Sequence, residues 1–172
     1  ETGREKEGKR ADQEEPTSTH AGRLTSSLGV MPMTNDLWRF LLDYPHDVFG
    51  DADAQLDTLM DRAVDAGLPS IAISHGAGQL LKLLVSLTKG MLAVEVGTLG
   101  GFSGIWIARG LAPGGRLITI ESSGLHADFA QGEFDSAGVG DRVEILRGAA
   151  LDVLPEVVAD LGETRVDLAF ID

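Results

Sequence analysis

The stretch LAVEVGTLGGFSG, residues 92–104, sets one acid, Glu95, two residues before Gly97, with further glycines at 100, 101 and 104. Glycines at such a place let the backbone approach a ligand closely and adopt angles that side chains forbid. A helix that starts there offers free N–H groups and the positive end of its dipole, which suit a phosphate or a carboxylate. An acid just ahead of the glycines suits a cationic group such as an ammonium. Three more positions belong with these. Glu121 lies in the run ITIES, Gly148 lies in RGAAL, and Asp172 ends VDLAFID. A carboxylate at the end of a second strand can accept both hydroxyls of a ribose. The chemistry on offer is binding of a small molecule with anionic, cationic and ribose groups.

Three loop types compete for that description. The dinucleotide fingerprint needs G-x-G-x-x-G. Here the spacing is Gly97-x-x-Gly100-Gly101, and Gly104 does not restore it. A phosphate-binding P-loop needs Lys-Ser or Lys-Thr after the glycines, and neither is present. A third pattern, acid-x-Gly-x-x-x-Gly, binds S-adenosylmethionine, and Glu95, Gly97 and Gly101 match it. Glu121 serves a ribose in either nucleotide cofactor. It also fits an ordinary acid at a strand end.

These residues must be positioned by the elements around them. Helices are expected over about 34–44, stopped by Pro45, then over about 53–66 and 77–88. MLAVEVG is a short apolar run of the kind found in parallel strands covered on both faces. A helix follows over about 103–111, then the strand RLITIES, a helix over about 125–137, the strand RVEILRG, a helix in ALDVLPEVVADLG and the strand RVDLAFID. That alternation predicts an α/β fold, a doubly wound parallel sheet with right-handed crossovers. Ligands in such sheets bind at the carboxyl ends of the strands. Glu95, Gly97, Glu121, Gly148 and Asp172 all fall there.

Composition narrows the partners. The chain has 172 residues and a formal net charge of −13, so it repels nucleic acid and anionic lipid surfaces. Cysteine is absent, which removes thiolate chemistry. No apolar run approaches membrane-spanning length, no secretory signal opens the chain, and a cytoplasmic location is expected. Residues 1–30 combine mixed charge with few apolar side chains and are expected to be a disordered extension. The folded domain is expected over 31–172, with helices over about 34–88 and the binding sheet over 91–172. His20, His46, His75 and His126 form no metal-ligand spacing, and Trp38 and Trp106 are expected to pack in the core. DADAQLDTLMD lacks the glycine of a calcium loop and reads as a helix cap with a solvated face.

Taken in order, VEVGTLGGFSG, LITIES, GVGDRVEILRGAALDVLPEV and VDLAFID resemble the class I S-adenosylmethionine-dependent O-methyltransferases of the catechol and caffeoyl-CoA type. ISHGAGQLLKLLVSL and LWRFLLDY are similar to the family's segments upstream of the first strand, so the resemblance covers about 36–172. It implies a Rossmann-like methyltransferase sheet and S-adenosylmethionine as cofactor. Glu95 and Gly97 match the first cofactor motif and Gly101 closes its loop. Ser103 matches a hydroxyl near the methionine carboxylate, Glu121 the ribose acid, and Gly148 and Ala150 the turn beside the adenine. Asp172 matches a cofactor-side acid that is also the first ligand of a divalent metal, magnesium or calcium. Ser74 lies near a position touching the methionine end. The family often has Met-Thr where this chain has Ile73-Ser74, and Ala77 stands where an acid commonly precedes Gly-Gln.

The resemblance further implies methyl transfer to a hydroxyl of a small phenolic or catechol-like acceptor, and a homodimer formed through the N-terminal region. In the family the acid of this last strand is followed by Ala-Asp-Lys, whose lysine is a candidate base, and later by an Asp-Asn pair completing the metal site. Neither lies within the 172 residues, so the C-terminal strands and the catalytic base are expected to be missing from this chain. Two other readings stand beside it: a non-catalytic S-adenosylmethionine-binding module, and an NAD-dependent oxidoreductase.

Overall fold

The computed structural model describes residues 34–49 and 53–172. The extension expected over residues 1–30 lies outside the described residues. The described chain runs α1 (Asn35–Phe49), α2 (Ala54–Asp65), α3 (His75–Thr88), β1 (Leu92–Val96), α4 (Phe102–Gly110), β2 (Arg116–Glu121), α5 (Gly124–Ser136), a short 3-10 turn (Gly140–Arg142), β3 (Val143–Arg147), α6 (Ala150–Leu161) and β4 (Leu168–Ile171). The four strands are parallel in the order β3-β2-β1-β4. β1, the strand before the glycine loop, is therefore central.

Local chemistry accounts for most boundaries. Asp53 caps α2 by accepting the Leu56 N–H at 3.2 Å. Ser74 does the same for α3, accepting from Ala77 at 3.3 Å, which starts that helix at His75, two residues earlier than its apolar pattern suggests. Pro45 does not stop the first helix: the α1 backbone continues through it to Phe49. A proline removes one donor from the helical ladder, and residues on both sides can still carry the helix past it.

The two faces of the sheet are covered differently. Strand residues alternate in direction. Ala93 and Leu117 pack with Leu81 and Val85 of α3 and Ile107 of α4. Leu92, Ile118 and Ile120 pack on the other face with Val157 of α6. By that alternation Glu95 and Thr119 lie on the same face as Ala93 and Leu117, beneath α4. A third cluster joins Leu56 and Leu59 of α2 to Phe102, Ile105 and Trp106 of α4 and Phe134 of α5. Arg62 on α2 donates from Nε to Glu133 of α5 at 3.0 Å and from a terminal nitrogen at 2.5 Å, holding α2 against α5. Trp106 is buried as expected, whereas Trp38 on α1 is 52% exposed.

α3 and α4 cross with backbone close to backbone at Gly110. A Cβ on Gly110 would lie 2.6 Å from the carbonyl oxygen of Lys82 and 3.0 Å from its Cα. Backbone cannot step aside as a side-chain tip can. Gly110→Ala is expected to cost about 2 kcal/mol of stability, the usual scale of overpacking. Urea unfolding should show a lower midpoint with an unchanged slope. An unchanged midpoint would mean that the helices separate freely.

Candidate functional site

The site forms where β1 and β2 end. Gly97 follows β1 with φ +93° and donates its N–H to Ile120 O of β2 at 3.0 Å. A Cβ there would sit 3.1 Å from Asp172 O, so glycine is required both by angle and by space. Leu99 has φ +48°, a conformation that costs a non-glycine residue about 1 kcal/mol or more. Gly101, at φ +84°, is the N-cap of α4, and no side chain caps that helix. No side chain therefore satisfies the first N–H groups of α4.

Glu121 holds the strained part of the loop. Its Oε2 accepts from the backbone N–H of Thr98 at 3.2 Å and of Leu99 at 2.9 Å. Its Oε1 accepts from Ser123 N at 2.8 Å, and His126 Nδ1 lies 3.5 Å away. The residue read from sequence as a ribose acid also fastens the loop to β2. That second task depends on two strand ends meeting in space, and no local pattern announces it.

Glu95 is fully buried under the loop. Ser103 Oγ, from the first turn of α4, donates to its Oε1 at 2.6 Å, and Thr119 Oγ1 donates to its Oε2 at 2.7 Å. Burial pushes the Glu95 carboxyl up to about 7. The two hydroxyl donors oppose that rise, and the nearby charges of Asp172 and Glu121 add to it.

A small cleft, open to solvent, lies at the loop, and Ser103, the partner of Glu95, is part of its wall. Gly97, Ser103 and Asp172 line it, with Thr98 and Leu99 from the loop and Ile73 from the segment before α3. Ser74, the next residue, is half-buried and has its hydroxyl engaged in capping α3. His75 packs its ring edge-on against Phe102, centroids 4.9 Å apart. Gly148 donates its N–H to Glu121 O at 2.9 Å, and a Cβ on it would meet Val153 at 2.8 Å. Ala150 opens α6, whose N-cap Ala149 supplies no side-chain hydrogen bond. The structure thus brings Gly97, Ser103 and Asp172 to one cleft, with Glu95 bonded to Ser103. Gly101 lies at the start of α4, and Glu121 and Gly148 at neighbouring strand ends.

Three contributors escaped the sequence reading. Thr98 and Thr119 are buried and hydrogen-bonded to one another, 2.6 Å between hydroxyl oxygens. Phe134 of α5 is the ring on which the loop glycines rest: a Cβ on Gly101 or Gly104 would lie 3.1 Å or 2.8 Å from it. The one available signal was Thr119 itself, a polar residue at a core-facing position of LITIE.

The donor set suits a ligand with an amino-acid end and a ribose. The N–H groups at the start of α4, which no side chain caps, can donate to a carboxylate that approaches past the glycines. A hard divalent metal is a different matter. Among the described residues no three acids, histidines or cysteines converge, and the Asp172 carboxylate alone does not make a cage for such an ion.

A parallel doubly wound sheet whose central strand opens through this glycine loop into an uncapped helix is the Rossmann-like fold of S-adenosylmethionine methyltransferases. The chain belongs to the O-methyltransferase family, whose model matches residues 47–172. It is 39% identical over 140 residues to a catechol O-methyltransferase of Niastella koreensis, covering 81% of this chain and 63% of that protein. A catechol O-methyltransferase of Mycobacterium tuberculosis is 42% identical over 133 residues, covering 71% and 59%. Among solved structures, the Bacillus cereus O-methyltransferase in complex with SAH is 38% identical with a TM-score of 0.75, covering 80% of this chain and 62% of that one. The Streptomyces achromogenes O-methyltransferase TomG in complex with SAM is 36% identical with a TM-score of 0.74, covering 81% and 62%. The chain spans about three-fifths of the length of the curated relatives it matches.

Proposed function

We propose that this chain belongs to an S-adenosylmethionine-dependent O-methyltransferase that moves a methyl group to a hydroxyl of a small phenolic or catechol-like acceptor. The observation that carries the reading is the uncapped start of α4 beside a cleft, with Glu95 buried and bonded to Ser103 of its wall and Glu121 at the neighbouring strand end. S-adenosylmethionine supplies an already activated methyl, so no covalent enzyme intermediate is needed. The chain's own contribution is positioning. Gly97, Gly101 and Ser103 take the methionine end, with Ser74 at its margin and Glu95 supplying negative charge below it. Glu121 takes the ribose, and Gly148 and Ala150 flank the adenine.

A divalent cation, magnesium or calcium, belongs to this reading with Asp172 as one oxygen ligand. Among the described residues no three acids, histidines or cysteines converge to complete its shell. The methyltransferase domain is taken as residues 31–172, following an extension over 1–30, and its setting as cytoplasmic. No helix among the described residues is long and apolar enough to cross a membrane. A homodimer through the N-terminal helices is supported by the exposed apolar side chains Trp38 and Phe40 of α1 and Leu80, Leu83 and Leu87 of α3. Sedimentation at the mass of two chains supports that dimer, and a single-chain mass at high concentration contradicts it.

Incubation of the chain with S-adenosylmethionine, magnesium and a dihydroxyphenyl acceptor tests the function. An O-methylated product is the expected result for a catalytically competent chain. Cofactor binding without turnover moves the chain to the non-catalytic module. Tight NAD binding with no affinity for S-adenosylmethionine contradicts both.

A further inference from the structure

The acids at the ends of β1 and β2 are joined by a buried pair of hydroxyls to which the cofactor reading gives no role. Thr119 is fully buried on β2, directly across from Glu95 in the parallel register. Its Oγ1 donates to Glu95 Oε2 at 2.7 Å and lies 2.6 Å from Thr98 Oγ1. A hydroxyl has one hydrogen. That of Thr119 is used on the carboxylate, so Thr98 is the donor between the two threonines. The backbone N–H of Thr98 meanwhile donates to Glu121 Oε2 at 3.2 Å. One unbroken chain of hydrogen bonds therefore runs from Glu121 through Thr98 and Thr119 to Glu95, and on to Ser103 in the first turn of α4.

We propose that Thr119 is a positioning residue for the cofactor: its hydroxyl fixes the Glu95 carboxylate and, through Thr98, the first peptide of the glycine loop. The ribose-side acid and the methionine-side acid are thereby held at one separation. The proposal rests on the S-adenosylmethionine reading of the cleft. Thr119 touches no ligand position itself, since it is fully buried below the loop. Valine has nearly the same shape and suits a central strand, so Thr119→Val removes the hydrogen bonds and leaves the packing. It strands one Glu95 oxygen without a donor and the Thr98 hydroxyl without an acceptor.

The test compares Thr119→Val, Thr119→Ser and Thr98→Val with the wild-type chain. In the absence of ligand, amide hydrogen exchange at Thr98 and Leu99 is expected to quicken about tenfold in both valine variants, the equivalent of one lost hydrogen bond. Thr119→Ser should exchange like wild type, because it keeps the hydroxyl. Calorimetric titration with S-adenosylhomocysteine should show affinity about tenfold weaker in Thr119→Val and restored in Thr119→Ser. Should Thr119→Val fail to fold, Thr98→Val and Thr119→Ser carry the comparison. Unchanged exchange at Thr98 and Leu99, a uniform quickening across the whole sheet, or a serine variant as impaired as the valine one would overturn the proposal. A wild-type chain that does not bind S-adenosylhomocysteine sinks the reading of the cleft. It removes the cofactor role of Thr119 with it, even where the exchange data still show an anchored loop.

Discussion

Phe134→Ala is expected to lower the stability of the chain by about 4 kcal/mol, within the usual range for emptying a buried phenylalanine site. Phe134 is completely buried and belongs to the cluster that joins α2, α4 and α5. The neighbours of its ring make the loss functional as well as structural. Gly101 and Gly104 lie against the ring so closely that a methyl on either would come within 3.1 Å or 2.8 Å of it. Removing the ring leaves the loop and the first turn of α4 over a void. Relaxation into that void would displace the α4 N–H groups from the cleft. Chemical unfolding should show the stability loss, and S-adenosylhomocysteine titration should show weaker binding at temperatures where the variant is still folded. Phe134→Leu should lose less on both counts. A Phe134→Ala loss below about 1 kcal/mol would show that the cluster repacks and that the ring does not support the loop.

The second large effect is on pH. Burial raises the Glu95 carboxyl from an ordinary 4.5 to about 7. A raised acid binds its proton more tightly in the folded chain than in the unfolded one. Stability from this group is therefore fully present below about pH 4.5 and falls as the pH rises through about 7. The shift corresponds to a loss on the order of 3 kcal/mol across that window. Asp53 acts in the opposite direction. Despite the cost of its partial burial, the donors Arg109 and Leu56 hold its carboxyl below the usual range, so its contribution is lost only in acid. Thermal unfolding of the wild-type chain should accordingly show a falling midpoint between pH 5 and pH 8, within the window set by Glu95. Glu95→Gln cannot ionise, and its profile should be nearly flat over the same range. A wild-type profile as flat as that of the glutamine variant would mean that Glu95 is not desolvated as described.

This cost at neutral pH bears on function. Glu95 is kept in a buried place that disfavours its ionised form, beside two more acids, Asp172 and Glu121. Such an arrangement is retained more readily where a cationic ligand group offsets the negative charge. The ammonium of an amino-acid end is such a group.

The order of strands and helices was legible from Leu92 onward because each strand is a short apolar run closed by an acid or a glycine, and each helix has its own apolar spacing. The loop was legible because Gly97 and Gly101 need positive φ angles, which only glycine adopts freely. What could not be read has one physical origin: it depends on contacts between elements distant in sequence. Glu121 fastens Thr98 and Leu99 across more than twenty residues, and Thr119 meets Glu95 from the neighbouring strand. The support that Phe134 gives the glycines arises only once α5 is laid on α4. Trp38 misled because helical spacing shows that residues share a face, not whether anything covers it; it is 52% exposed. Pro45 misled because a missing donor weakens a helix without always ending it.

The central claim is that the cleft at the ends of β1 and β2 holds the amino-acid and ribose ends of S-adenosylmethionine. It is tested most directly by mapping amide chemical shifts while titrating the 172-residue chain with S-adenosylhomocysteine. The account predicts saturable shifts concentrated at Gly97–Ser103, at Glu121–Ser123 and at Gly148–Ala150. The far ends of the strands, at Leu92 and Arg116, should stay in place. Saturable shifts centred elsewhere, or no shifts with S-adenosylhomocysteine alongside clear ones with NAD, would contradict it.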